Sequence, residues 1–150
     1  MNIERLMKQL ELDEGKRLRV YLDHLGNPTV GIGHLIQESS PEYLKSAKVG
    51  DKITEEQCKE LFIADLANAI QDAIIIFGEK WDSFPVEAQE VFVNMAFNLG
   101  RSGLMKFKKT IFYAYNHDWE NVAKEMMDSR WAKQVPNRAA KLKAKIERLA

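Results

Sequence analysis

Residues 13–34 read DEGKRLRVYLDHLGNPTVGIGH, and the period of the apolar residues changes within this stretch. Upstream, Ile3, Leu6, Met7 and Leu10 recur at helical spacing, which predicts a short amphipathic helix over 3–13 with Gly15 as its stop. Glu14 then sits where the helix ends and the chain turns. Downstream, Leu18, Val20 and Leu22 alternate with Arg17, Arg19 and Tyr21, which predicts a strand. LGNP at 25–28 is a turn signal, and TVGIGHL at 29–35 reads as a second strand. The alternating glycines there weaken a strand and mark a bend or a close backbone approach.

Working outward, Thr54 and Gln57 have capping-box spacing, and Ile53 and Cys58 are placed as the accompanying hydrophobic staple. Leu61, Phe62, Asp65, Leu66, Ala69, Ile70 and Ala73 continue one helical stripe, which predicts a helix over 54–77, about 35 Å long. After Gly78 the pattern is helical throughout. Pro85 opens PVEAQEVFVNMAFNLG, which Gly100 ends. MKFKKTIFYAYNHD and WENVAKEMMDSRWA follow, QVPNR breaks the pattern, and AAKLKAKIERLA is a last helix with Ala140, Leu142, Ile146 and Leu149 on one side. Trp81, Trp119, Trp131, Phe92, Phe97 and Phe107 are the expected core of this part. The expectation is a mainly helical α+β fold forming one domain over 1–150. It comprises a small β-rich lobe (15–53), a connecting helix (54–77) and a helical lobe (78–150).

The formal net charge is zero, but residues 1–100 hold 10 Lys and Arg against 17 Asp and Glu, and residues 101–150 hold 12 against 5. Such a split orients a chain against an anionic surface, or reflects solvated helix faces that happen to differ. No basic block argues for nucleic acid. Cys58 is the only cysteine, so no intramolecular disulfide forms, and its helical context suits a small buried hydrophobe. The N-terminus lacks an apolar signal core, and AIIIF at 73–77 is far short of a membrane span, so stable membrane insertion is not expected. CxxC, P-loop and HExxH patterns are absent, the GxG at 31–33 lacks the rest of a dinucleotide signature, and His24, His34 and His117 form no metal pattern. Neither a cofactor nor a metal is expected.

Cleavage of a glycosidic bond requires a proton for the leaving oxygen and a water or nucleophile on the sugar's other face, and two carboxyl groups in unlike environments supply both. Partial burial at the helix end would keep Glu14 protonated, while Asp23 beside the turn would stay ionised. Thr29, on the returning strand, offers a hydroxyl to hold a water near Asp23. Against this stands the plainer reading that acidic residues near turns are simply solvated.

The stretch DEGKRLRVYLDHLGNPTVGIGHL, with ITEEQCKELFIADLANAI, VNMAFNLG and SRWAKQVPNRAAK, resembles the T4-type phage lysozymes over nearly the whole chain. The resemblance puts the general acid on Glu14, the second carboxylate on Asp23 and the water-positioning threonine on Thr29. It implies that Arg138 pairs with Glu14, that His34 pairs with Asp65, and that helix 3–13 packs against the helical lobe. Without the resemblance, His34 is a solvent-facing strand residue. The implied activity is an endolysin muramidase that hydrolyses the β-1,4 bond between N-acetylmuramic acid and N-acetylglucosamine of peptidoglycan. Such a protein acts as a monomer, waits in the host cytoplasm and reaches the wall through a separate membrane-pore protein. The chain departs from the family pattern in a shorter segment before the long helix, in His24–Leu25 and Asn27–Pro28 after Asp23, in Val135 before PNR, and in its neutral total charge.

Three other functions stay open: a non-catalytic peptidoglycan-binding protein on the same fold, a lytic transglycosylase, and a lysozyme domain from a larger cell-puncturing device. Intact Glu14, Asp23 and Thr29 speak against the first. The aspartate–threonine arrangement favours hydrolysis over the second, and the Met start and final helix favour a stand-alone protein over the third.

Overall fold

Gly15 ends the first helix. In the computed structural model, which describes Met1–Ala150, α1 (Ile3–Glu14) buries Leu6 and Leu10. The Gly15 N–H closes its last turn on the Glu11 carbonyl, and a φ of 77° at Gly15 then turns the chain out. The strands β1 (Arg17–Leu22), β2 (Pro28–Gly31) and β3 (His34–Leu35) follow as one antiparallel sheet in sequence order. Tyr21 faces Thr29 across β1 and β2, Val30 faces His34 across β2 and β3, and the register shifts between Arg17 and Tyr21. The outer edge of β1 is covered by residues 50–53 through bonds from Gly50 to Val20, Val20 to Asp51 and Ile53 to Leu18.

The segment expected as one returning strand is two. Gly31 and Gly33 both take left-handed backbone (φ 70° and 67°), so the chain reverses after β2 and pairs back as β3. Gly31 is tight against protein, because a Cβ there would lie 3.4 Å from Cys58 Sγ and 3.7 Å from Ile53 Cδ1. The staple residues Ile53 and Cys58 thus meet over a glycine.

α2 (Glu55–Phe77) opens with the expected capping box: the Thr54 N–H donates to Gln57 Oε1 at 2.9 Å, and the Gln57 N–H to Thr54 Oγ1 at 3.0 Å. With the turn after it, Glu55–Ser83 is long and apolar enough to cross a membrane by length and composition, unlike AIIIF alone. Its Leu66, Ala69, Ala73 and Phe77 are nevertheless buried within the chain. The chain forms two compact units, Ile3–Ala67 and Met1–Asn2 with Asn68–Ala150.

The second unit is helical: α3 (Val86–Met105), α4 (Lys108–Tyr115), α5 (Trp119–Met127), α6 (Arg130–Gln134) and α7 (Pro136–Glu147). Gly100 (φ 73°, ψ 170°) breaks α3 as expected, but helix resumes to Met105. The WENVAKEMMDSRWA stretch is two helices, because Ser129 is extended and its Oγ caps α6 through the Ala132 N–H at 3.1 Å. QVPNR breaks the helix as expected, at Val135 (φ −128°, ψ 63°) between α6 and α7, and Pro136 opens α7, where no N–H is needed, three residues before the expected start. α7 buries Arg138, Ala139, Leu142 and Ile146 and leaves Ala140 exposed, one position off the expected stripe. The aromatic core is built on Phe77, with ring centres 4.4 Å from Phe92 and 5.1 Å from Phe84, and Phe84 meets Trp119 at 5.4 Å. Phe97 and Phe107, expected there, are only half-buried.

Candidate active site

The turn between β1 and β2 fixes Asp23. Its backbone N–H donates to the Asn27 carbonyl at 2.9 Å, and Gly26 (φ 83°) returns an N–H to the Asp23 carbonyl. The Asp23 Oδ1 accepts the Leu25 and Asn27 N–H groups at 2.9 and 2.8 Å. These bonds, Asn27's first, hold the Asp23 carboxyl below its ordinary pKa although the burial it has works the other way. Asp23 is therefore a carboxylate at neutral pH.

Glu14 is the last residue of α1 and is half-buried. Its carboxyl lies against the backbone of Gly33, where a Cβ would come 2.6 Å from Glu14 Oε1 and 2.8 Å from Cδ. Only glycine fits at this position with Glu14 as it stands. The expected close backbone approach is thus an approach to Glu14. Thr29 is buried in the central strand, and its hydroxyl donates to the Asn27 carbonyl at 3.0 Å, which leaves the oxygen able to accept a bond.

Tyr21 lies within electrostatic reach of both carboxylates. Burial first, then the charge of Glu14 and, more weakly, that of Asp23, push its phenol above the ordinary value, while Arg17 pulls the other way. The Arg17 guanidinium lies 4.3 Å from the Tyr21 ring centre. In the sequence Tyr21 stands only as one of the residues alternating with the apolar side of a strand. The available signal was its position two residues before Asp23, opposite Thr29.

His34 and Asp65 do meet, His34 Nδ1 lying 2.8 Å from Asp65 Oδ2. On the other side of the ring, His34 Nε2 lies 2.9 Å from Ser40 Oγ, which also accepts the Gln37 N–H at 3.0 Å. His34 and Ser40 are buried, so this is a satisfied network tying β3 to α2 rather than a solvent-facing histidine. His34→Ala leaves Ser40 and Asp65 without their ring partner, and we expect a loss of about 1–3 kcal/mol in unfolding free energy. Chemical denaturation checks this, and an unchanged midpoint would count against the network.

Arg138 stands in the helical unit. It is buried on α7, and its Nε donates to Asn94 Oδ1 at 2.8 Å. Glu14, Asp23 and Thr29 line neither the groove of about 620 Å³ between α1 and α2 nor the groove of about 740 Å³ bounded by Phe107 and Trp131 in the helical unit. No group of three His, Cys, Asp or Glu side chains is placed to hold a metal ion.

The phage lysozyme family model matches residues 11–148. The chain is 34% identical to the pre-baseplate central spike protein Gp5 of Enterobacteria phage T4, an alignment that takes in 91% of this chain but only 26% of that protein. It is also 28% identical to the probable T4-type lysozyme 2 of Dictyostelium discoideum (91% of this chain, 90% of that one). With the probable T4-type lysozyme 1 of the same organism it is 29% identical (97% and 95%). A match over almost all of the sequence, on a mainly helical α+β fold with a small antiparallel sheet, means that the chain belongs to the phage lysozyme family.

Proposed function

We propose that this muramidase-family chain cleaves the β-1,4 bond between N-acetylmuramic acid and N-acetylglucosamine, with Glu14 as general acid and Asp23 as general base. The observation that supports the assignment is the pair of N–H bonds on Asp23 Oδ1, which favours the ionised form a general base needs, while Glu14 takes the acid role from its place in the stretch that matches the family. Glu14 protonates the glycosidic oxygen as the bond to the anomeric carbon breaks. Asp23 takes a proton from a water that Thr29 helps to place, and that water adds to the anomeric carbon.

In a phage this activity serves host lysis, with the chain waiting in the cytoplasm until a pore gives access to the wall. The likeness to the T4 pre-baseplate central spike protein favours a second setting, the same hydrolase carried as part of a central spike. Assaying purified virions and infected-cell cytosol for the chain separates the two. The reaction is tested by mass spectrometry of fragments released from purified Gram-negative peptidoglycan. Hydrated reducing ends support hydrolysis, 1,6-anhydro ends would mean transglycosylation, and sedimentation with the wall without release would mean binding alone.

Gly33 gives a finer test. Gly33→Ala puts a methyl group onto the Glu14 carboxyl and forces a left-handed alanine, at a cost of about 1–2 kcal/mol. Displacing the acid by about 1 Å lowers turnover roughly 10²-fold. Turbidity clearing beside a denaturation curve reads both effects. Wild-type turnover in a destabilised Gly33→Ala would show that Gly33 does not set the position of Glu14.

A further inference from the structure

One face of the small sheet carries a hydroxyl that neither the packing nor the two proton transfers use. Tyr21 and Thr29 stand directly opposite each other across β1 and β2, so their side chains share a face, while their neighbours Val20 and Val30 are buried on the other. Asp23 follows Tyr21 by two residues, and its N–H bond to the Asn27 carbonyl carries the same pairing into the turn. All of these residues, with Glu14, lie within the unit Ile3–Ala67. The Arg17 guanidinium, 4.3 Å from the ring centre, covers one side of the half-buried Tyr21 ring. No protein group gives a hydrogen bond to the Tyr21 hydroxyl or takes one from it. Burial and then the Glu14 charge raise its pKa, so it keeps its proton at neutral pH. Its neighbours have none to offer. Asp23 is a carboxylate and only accepts, and the Thr29 proton already goes to the Asn27 carbonyl.

We propose that the Tyr21 hydroxyl touches substrate, donating a hydrogen bond to the acetamido carbonyl oxygen of an N-acetylated sugar beside the cleaved bond. Sugar hydroxyls both donate and accept, so Asp23 and Thr29 can hold them. The acetamido carbonyl only accepts, and it needs a donor that Asp23 and Thr29 do not supply and that Glu14 spends on the glycosidic oxygen. A cation in this place would pull down the pKa of both carboxyls, whereas a neutral phenol makes the bond without adding charge. The inference rests on the glycosidase reading and names the part of the substrate that this face recognises.

Cleavage of purified Gram-negative peptidoglycan, and of the same wall after chemical de-N-acetylation, tests it with wild type and Tyr21→Phe as full chains. Phenylalanine keeps the ring on which Arg17 rests and removes only the hydroxyl. Tyr21→Phe should lower kcat/KM about 3–10-fold on the acetylated wall, with an unchanged unfolding midpoint. On the de-N-acetylated wall the two proteins should be equal, because the acceptor is gone. A residue that only packs would cost the same on both walls. Equal rates on the acetylated wall, the same loss on both walls, or a loss that tracks a lowered midpoint would overturn the proposal. Where a wall yields no fragments, retention of the two proteins on it by co-sedimentation replaces the rate. No release by wild type from the acetylated wall means that the glycosidase reading fails. Weaker retention of Tyr21→Phe there, and only there, still sustains the hydroxyl contact, and equal retention overturns it.

Discussion

Glu14→Gln should lose turnover by roughly 10²–10⁴-fold while remaining folded, because the amide keeps the size of the carboxyl but has no proton to give. The backbone around the helix end fixes where this carboxyl stands. Gly15 turns the chain immediately after it, and Gly33 brings backbone against its carboxyl, where any larger residue would collide. Glutamine fills the same space, so the substitution isolates proton donation from packing. The quantity to measure is kcat on peptidoglycan, with the unfolding midpoint taken on the same preparation. A fall in kcat with little change in KM identifies a group that acts in the transition state. A variant that folds and cleaves like wild type would falsify the acid assignment and move the chemistry to another group near Asp23.

The parts of this arrangement that depend on neighbours in sequence were legible beforehand. Gly15 as a helix stop, the Thr54–Gln57 capping box and the alternation along β1 are local, and each was read from residues at most a few positions apart. Gly31 and Gly33 do mark close approaches, but they also divide the expected single strand into β2 and β3. Period-two alternation continues through a left-handed turn, and composition does not report φ. α5 and α6 merged in the sequence for a similar reason: a serine cap in the middle of an apolar-periodic run changes no hydrophobic period. Tyr21, Ser40 and the Asn94 partner of Arg138 went unseen because each belongs to its partner only through the fold. Asn94 and Arg138 are 44 positions apart, and nothing in either segment names the other. The pairing of His34 with Asp65 follows from the family resemblance, and no periodicity in the chain supplies it.

Asp23→Asn should be the second large loss, again roughly 10²–10⁴-fold in turnover, with the turn intact. An asparagine oxygen still accepts the Leu25 and Asn27 N–H groups that now bond Oδ1, so the loop retains its shape and only the charge and basicity go. The pH dependence gives a separate check on the same group. The folded-state pKa of Asp23 is depressed by those bonds below the value of about 3.9 for an unfolded aspartate. Such a group adds stability that is fully present above the unfolded pKa and disappears as pH falls through the folded pKa. The wild-type advantage over Asp23→Asn in unfolding midpoint should therefore be constant at neutral pH and shrink on acidification below about pH 4. It should also be small, because the carboxyl is close to water and screened. Turnover lost at every pH, with a stability difference confined to the neutral side, would assign Asp23 a chemical role rather than a structural one. If instead the turn unravels and stability drops at all pH values, the carboxylate is needed to hold the loop, and a water-activating role would have to be sought in Thr29 and Tyr21.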